Sequence, residues 1–259
     1  MNPRLPRAAI AVCLALLVAA LVGPWVAPHG PAESVGAPYR PPGHGSLLGT
    51  DHLGRDLWSK LLHGGRSVVA LPLAATAAST LIGAVLGALT ASRRVASRAL
   101  QRSLDVVVVI PPLLVLLLLL YGVDDRAAAL VAAIVVVSVP FVARFTRAVA
   151  TPVLASGYVE QAVALGESRA VVLLREVAPN LVGPVLADAG TRFVGAVYLA
   201  AAAGFLGFGA GAGDWGALIA ANIEGAPLNP WGVVAPCLAL AGLTASANLV
   251  ADGFARRLS

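Results

Sequence analysis

The sequence is poor in charge. Only 12% of its 259 residues are Asp, Glu, Lys or Arg, about half the share of an ordinary soluble domain. This excludes a disordered chain, a coiled coil and a typical cytosolic enzyme. Aromatic residues make up 5%, and there is one Met and one Lys, Lys60. The two cysteines, Cys13 and Cys237, stand far apart in apolar runs with no histidine spacing beside them, which argues against a disulfide or metal framework and reads as two small hydrophobes. The four histidines, His29, His44, His52 and His63, all fall in one early segment. No phosphate-binding loop is present: such a loop needs Gly before its Lys, and Lys60 follows Ser59. The chain therefore lacks the means to bind ATP in that way.

What fills the sequence is apolar: 58% of it, mostly Ala, Val and Leu, with 27 Gly and 18 Pro. A membrane helix uses about 20 apolar residues, so the composition predicts an all-α polytopic membrane protein. Six spans can be read, at Ala8–Val26, Val68–Ala91, Val106–Tyr121, Ala127–Ala143, Val185–Leu206 and Trp231–Val250. The first reads as a retained anchor, because Gly23-Pro24-Trp25 is not a small-x-small cleavage site. Pro111-Pro112 should kink or break the third. In the second, Ala75, Ser79, Gly83 and Gly87 recur every four residues. That stripe lets helix backbones approach closely in lipid.

Placing the N-terminus inside puts twelve of the eighteen Lys and Arg on inner segments and five on outer ones. The excess follows the positive-inside rule and predicts both termini on the cytoplasmic side. The pI of 9.9 is thus a topology signal and gives no reason to expect nucleic-acid binding. Asp188 and Arg192 lie four apart inside the fifth span and share a helix face. A charge pair in a span reads either as structural or as functional. Otherwise the spans are nearly free of ionisable groups. That opposes a stand-alone secondary carrier, which needs midplane sites, and the lack of any catalytic cluster opposes a membrane enzyme.

Two polar segments carry the most information. In the outer segment Gly49–Ser67, Gly49–Gly54 reads as a turn with Thr50 or Asp51 available to cap a helix. A short amphipathic helix then lies at the outer interface, with Trp58 as its anchor and Asp56 paired to Lys60. Arg144–Pro184 is the longest inner loop. In it, Val159–Leu165 reads as a short helix stopped at Gly166, with Ser168 capping a second helix that runs toward Pro179. The two would make a protruding elbow.

These segments together resemble one family. Glu160-x-Ala162-x-x-x-Gly166, with Pro179 thirteen residues later, is similar to the EAA loop of binding-protein-dependent ABC importer permeases. Gly49-Thr50-Asp51-x-x-Gly54-Arg55-Asp56-x-x-Ser59 resembles the dipeptide/oligopeptide/nickel branch, in its C-type subunit. Gly204–Gly209, Asp214-Trp215-Gly216 and Asn248–Gly253 continue the resemblance to the C-terminus.

The resemblance implies a type I importer (MetI-like) permease fold with N-in/C-in topology. It implies an anchor and outer segment at 1–66, a permease domain at 67–253 with its coupling loop at 144–184, and a cytoplasmic tail at 254–259. It also implies that the chain is no enzyme and forms half of a passage for short peptides in the inner membrane of a prokaryote. The partners would be a second permease subunit, two ATPase subunits that bind the ATP and Mg, and an extracytoplasmic binding protein. The alternative cargo is nickel or a metal chelate. Glu160, Ala162, Gly166 and Pro179 would couple to the ATPase. Gly207, Trp215 and Gly216 would lie at the outer mouth, facing the binding protein. The chain itself would hold no cofactor or metal.

Overall fold

The computed structural model describes residues 4–43, 45–91, 95–209, 211 and 213–258. His44, Arg93 and Arg94, counted above among the outer histidines and inner arginines, lie outside the described residues. Among the described residues the regular elements are all helices, and β pairing is limited to isolated bridges such as Ser34 to Arg55 and Thr50 to Asp56. Its helices are α1 (Arg4–Val26), α2 (Leu57–Thr90), α3 (Val95–Val109), α4 (Pro112–Gly122), α5 (Arg126–Leu154), α6 (Gly157–Ala164), α7 (Arg169–Val171), α8 (Ala178–Ala203), α9 (Trp215–Asn222) and α10 (Trp231–Leu258). Widened π turns at Val172–Val177 and Gly204–Phe208 flank α8.

Among the described residues, four helices are long and apolar enough to cross a bilayer, and the bent α3–α4 pair makes up to five. The apolar part of α1, Ile10–Val26, is shorter. The predicted break at Pro111-Pro112 is a bend of 89°. Pro112 sits in the first turn of α4, where its missing N–H costs nothing.

Several helices differ from the sequence reading; α5, for one, runs on to Leu154, past the predicted span end at Ala143. The amphipathic stretch after Asp56 is not a separate interfacial helix. It forms the first turns of α2, a continuous 34-residue helix, because its apolar face is covered by protein: Leu57 and Leu62 are buried. The helix after Ser168 does not stop at Pro179 but runs through it into α8. Pro179 cannot donate to residue 175, and the chain widens into the π turn just ahead of it. The segment 254–258 continues α10 rather than leaving it as a tail.

The predicted small-residue stripe is the main helix contact. Ala75, Ser79, Gly83 and Gly87 are all buried. A Cβ on Gly83 would stand 2.5 Å from Val142 Cβ, and one on Gly87 would stand 2.5 Å from the Ala143 carbonyl oxygen. Only bare backbone lets α2 lie this close to α5.

Three apolar clusters follow. One joins Ala75, Leu116, Leu130, Ile134 and Ala200 at the centre of α2, α4, α5 and α8. A second joins Ala20, Val68, Val197, Trp215 and Leu243, and so ties α1 and α9 to α2, α8 and α10. The third gathers Val159, Ala162, Val172, Val177 and Leu181 under the far end of α2, at Ala84, Ala88 and Ala91. Residues 27–56 and the elbow at 155–177 therefore sit at opposite ends of α2.

Candidate functional sites: a cap, an elbow and an ion pair in a span

Residues 27–56 form a cap folded around buried polar groups. The Asp51 carboxylate is fully buried and lies 2.5 Å from Lys60 Nζ. It also accepts from the backbone N–H groups of Leu53 at 2.8 Å and Arg55 at 2.9 Å. Burial pushes its pKa up, but the Lys60 hydrogen bond and charge and the two N–H donors outweigh burial and hold it below the ordinary value of 3.8.

Asp56, and neither Thr50 nor Asp51, caps α2, accepting from Ser59 N at 2.9 Å and Ser59 Oγ at 2.6 Å. Ser46 Oγ donates to its other oxygen. Burial again opposes ionisation, and the Ser46 and Ser59 hydrogen bonds, with His29 nearby, bring the pKa below its usual value. Asp56 is therefore committed to capping, and the predicted Asp56–Lys60 pair is replaced by Asp51–Lys60. The turn at Gly49–Gly54 brings Asp51 back over α2, a contact that helix spacing does not reveal.

The other motif residues serve the same cap. Thr50 is buried, donates to the Ala37 carbonyl at 2.6 Å and accepts from Arg40 N at 2.8 Å. Gly49 has φ +77°, and a Cβ there would meet the Arg40 carbonyl oxygen at 2.1 Å. Gly54 has φ +73° and packs as tightly on Gly36. Two asparagines missed by the sequence reading fasten the cap to the helices. Asn229 Nδ2 reaches the carbonyls of Arg40, Leu48 and Thr50 at 3.0–3.2 Å. Asn222 Oδ1 accepts from His52 N at 3.0 Å. Their signal was isolated amide side chains in an apolar region, each needing a partner if buried.

Trp215 does not face outward. It is buried, and its Nε1 donates to the Leu61 carbonyl at 2.8 Å. A Cβ on Gly216 would stand 2.0 Å from the Ala201 carbonyl oxygen. Both hold α9, which Asp214 caps, against α2 and α8. A ring this large is worth more covered than wet. Of the three residues assigned to the mouth, Gly207 alone is exposed, at φ +88° where the second π turn ends.

The elbow is built the opposite way. α6 ends at Gly166, φ +85°, and the Glu167 N–H closes on the Ala162 carbonyl at 3.2 Å. The left-handed stop is as predicted. The Ser168 side chain accepts from Val171 N at 3.4 Å, as a cap should. Ala162 and Val159 face the interior, while Glu160 and Pro179 are exposed. Large apolar side chains also point outward: Leu165 is 79% exposed and Leu174 74%. Asn180 Nδ2 bonds the Glu176 carbonyl at 2.7 Å and the Tyr158 hydroxyl at 3.3 Å, and so fixes α6 against α8.

Asp188 and Arg192 do pair. Arg192 donates from Nε to one carboxylate oxygen and from Nη2 to the other, both at 3.0 Å. Its guanidinium lies 5.4 Å from the centre of the Phe141 ring on α5.

Comparison with known proteins agrees with this architecture. Residues 69–259 match the family described as binding-protein-dependent transport system inner membrane component. The chain is 32% identical to a di/tripeptide transport system permease protein, DppC, of Pseudomonas aeruginosa, covering 93% of this chain and 82% of that protein. It is 30% identical to the peptide transport system permease protein SapC of Escherichia coli O6:H1, covering 95% and 86%.

Two solved structures share the fold. One is of the MetNI methionine ABC transporter, with a TM-score of 0.62 at 17% identity over 77% of this chain and 96% of that one. The other is of an amino acid ABC transporter, with a TM-score of 0.60 at 20% identity over 76% and 94%. The fold is that of the MetI-like ABC permeases. The chain is a multi-pass membrane protein that belongs to the binding-protein-dependent transport system inner membrane components, as a permease subunit of an ABC importer.

Proposed function

We propose that this chain forms half of a passage for short peptides in a prokaryotic plasma membrane. It would work with a second homologous permease subunit, two ATPase subunits that bind the ATP and Mg, and an extracytoplasmic binding protein. Both termini and the elbow face the cytoplasm, and the cap faces outward.

The observation that carries this reading is the elbow: a fixed pair of short helices joined at a left-handed glycine, offering exposed Leu165, Leu174 and Glu160. Apolar side chains at that exposure, on rigid backbone, suit a groove on a partner. Closure of the ATPase pair would move the elbow, and through the continuous α7–α8 rod the passage helices, as a rigid body. Glu160 and Gly166 are the coupling contacts, Ala162 and Pro179 set their angle, and Gly207 lies at the outer mouth. Short peptides are the favoured cargo because DppC and SapC, by their names, serve peptide transport.

The test is Gly166→Asp in the complete importer. Membrane insertion should persist and uptake of a labelled dipeptide should vanish. Wild-type uptake at wild-type expression would remove the coupling role. Titrating the purified binding protein with di- and tripeptides and with nickel decides the cargo.

A further inference from the structure

The π turn at Val172–Val177 holds one residue more than an α turn would. Its closing bond runs from the Ala178 N–H to the Leu173 carbonyl, five residues back instead of four. Val172 and Val177, also five apart, are 4% and 0% exposed, and both join the apolar cluster under the far end of α2. In an α-helix, residues five apart point about 140° away from each other, so one of the two would leave the cluster. Past the turn the spacing is four: Val177, Leu181 and Val185 lie in the same cluster. The apolar face of this rod therefore skips one residue, once, and the π turn takes up the skip. Pro179 opens that turn. In a regular helix its ring would strike the Arg175 carbonyl, and it brings no N–H. The ring is exposed, so packing is not its role. Leu174, between the two buried valines, is 74% exposed.

We infer that this π turn sets the rotational phase of the elbow on α8, with Pro179 as the positioning residue. With the turn open, Val172 and Val177 seat together against α2, and Leu165 and Leu174 are presented to the ATPase subunit. Closed to an α turn with the same number of residues, everything before it, α6 and Gly166 included, would swing by about 100° around the axis of α8. The docking surface would then point away from its groove. The rod would still be rigid and the elbow intact; only the angle between them would be lost. The inference rests on the reading of the elbow as the ATPase contact.

The test measures phase and coupling separately in the complete importer. In a background with Cys13 and Cys237 changed to Ala, Val172→Cys in the purified importer should resist a charged, water-soluble thiol reagent. Adding Pro179→Ala should let the turn close and expose the thiol. Deleting the exposed Arg175 as well should bury it again, because the two seats are then four apart and an α turn serves both. Without the added cysteine, dipeptide uptake in proteoliposomes with the binding protein should follow the same order. It should fall roughly twofold to thirtyfold in Pro179→Ala and recover when Arg175 is also deleted, with assembly unchanged throughout. A residue that only stabilises the helix is not repaired by a deletion four positions away. A double variant worse than Pro179→Ala in both readouts would therefore overturn the inference, and so would a Val172→Cys thiol that stays protected in Pro179→Ala. If labelling follows the expected order while uptake never falls, the phase stands and the reading of the elbow as the ATPase contact fails by itself.

Discussion

The cap and the elbow stand at opposite ends of α2, and each carries one of the polar motifs singled out in the sequence. They are built in opposite ways. In the cap, Thr50, Asp51, Asp56 and Ser59 are buried, and each hydrogen-bonds a neighbour or the backbone. In the elbow, the side chains of Glu160, Leu165 and Leu174 point outward, and the Glu160 carboxylate has no hydrogen-bond or ion-pair partner among the described residues. One motif is an internal frame; the other is a surface. A polar motif therefore does not by itself mark a binding face. What separates the two is where the polar groups spend their hydrogen bonds.

The most damaging way to break this contrast is Asp51→Ala. It strands Lys60, 11% exposed at its side chain, beside a cavity with no counter-charge. Loss of one partner from such a pair costs roughly 3–5 kcal/mol. We expect loss of the monodisperse importer in a thermal shift followed by size-exclusion chromatography. Glu160→Ala at the elbow should leave the melting temperature where it was. If both variants melt alike, the cap is not the frame described here.

Acid should separate the two regions next. Asp51 and Asp56 have pKa values below the ordinary 3.8 in the folded chain. A depressed folded pKa gives stability that is fully present above the unfolded value and is lost as pH falls through the folded one. The cap should therefore be indifferent to pH from 8 down to about 5 and should loosen progressively below about 4. Hydrogen exchange at residues 46–59 reports this directly. Opening of the cap between pH 6 and 5 would contradict the assignment to these carboxylates.

The sequence showed much of the elbow and little of the cap's interior, for a physical reason. Helix periodicity and stop signals are local. The Ala75–Gly87 stripe, the Pro111-Pro112 break, the Gly166 stop and the Ser168 cap all follow from neighbours within about four residues. The cap is held by pairs distant in sequence: Asp51 with Lys60, Asn222 with His52, Asn229 with Leu48. No period links them, and helix spacing points from Asp56 to Lys60 instead. Trp215 shows the same limit, since its partner is the Leu61 carbonyl 154 residues away. Through-helix effects also escaped: Pro179 looked like an end, but a widened turn absorbs it. The Asp188–Arg192 pair was legible because its four-residue spacing is a helical contact.

The smallest expected change is the sharpest comparison. Gly49 and Gly166 share a left-handed backbone, φ +77° and +85°. Alanine at either pays the strain of that conformation, about 1–2 kcal/mol. At Gly49 the added carbon also meets the Arg40 carbonyl oxygen at 2.1 Å and Asn229 Nδ2 at 2.6 Å, so the cap must part to admit it. At Gly166 nothing lies within 4 Å, so strain is the whole cost. Gly49→Ala should therefore lower the melting temperature clearly more than Gly166→Ala. The modest loss at Gly166 should still be accompanied by weaker ATPase capture, because a strained joint changes the angle between α6 and α7 that a docking groove would read. Equal melting temperatures would mean the cap yields as freely as the open elbow, and the contrast between a packed frame and a presented surface would fail at its simplest point.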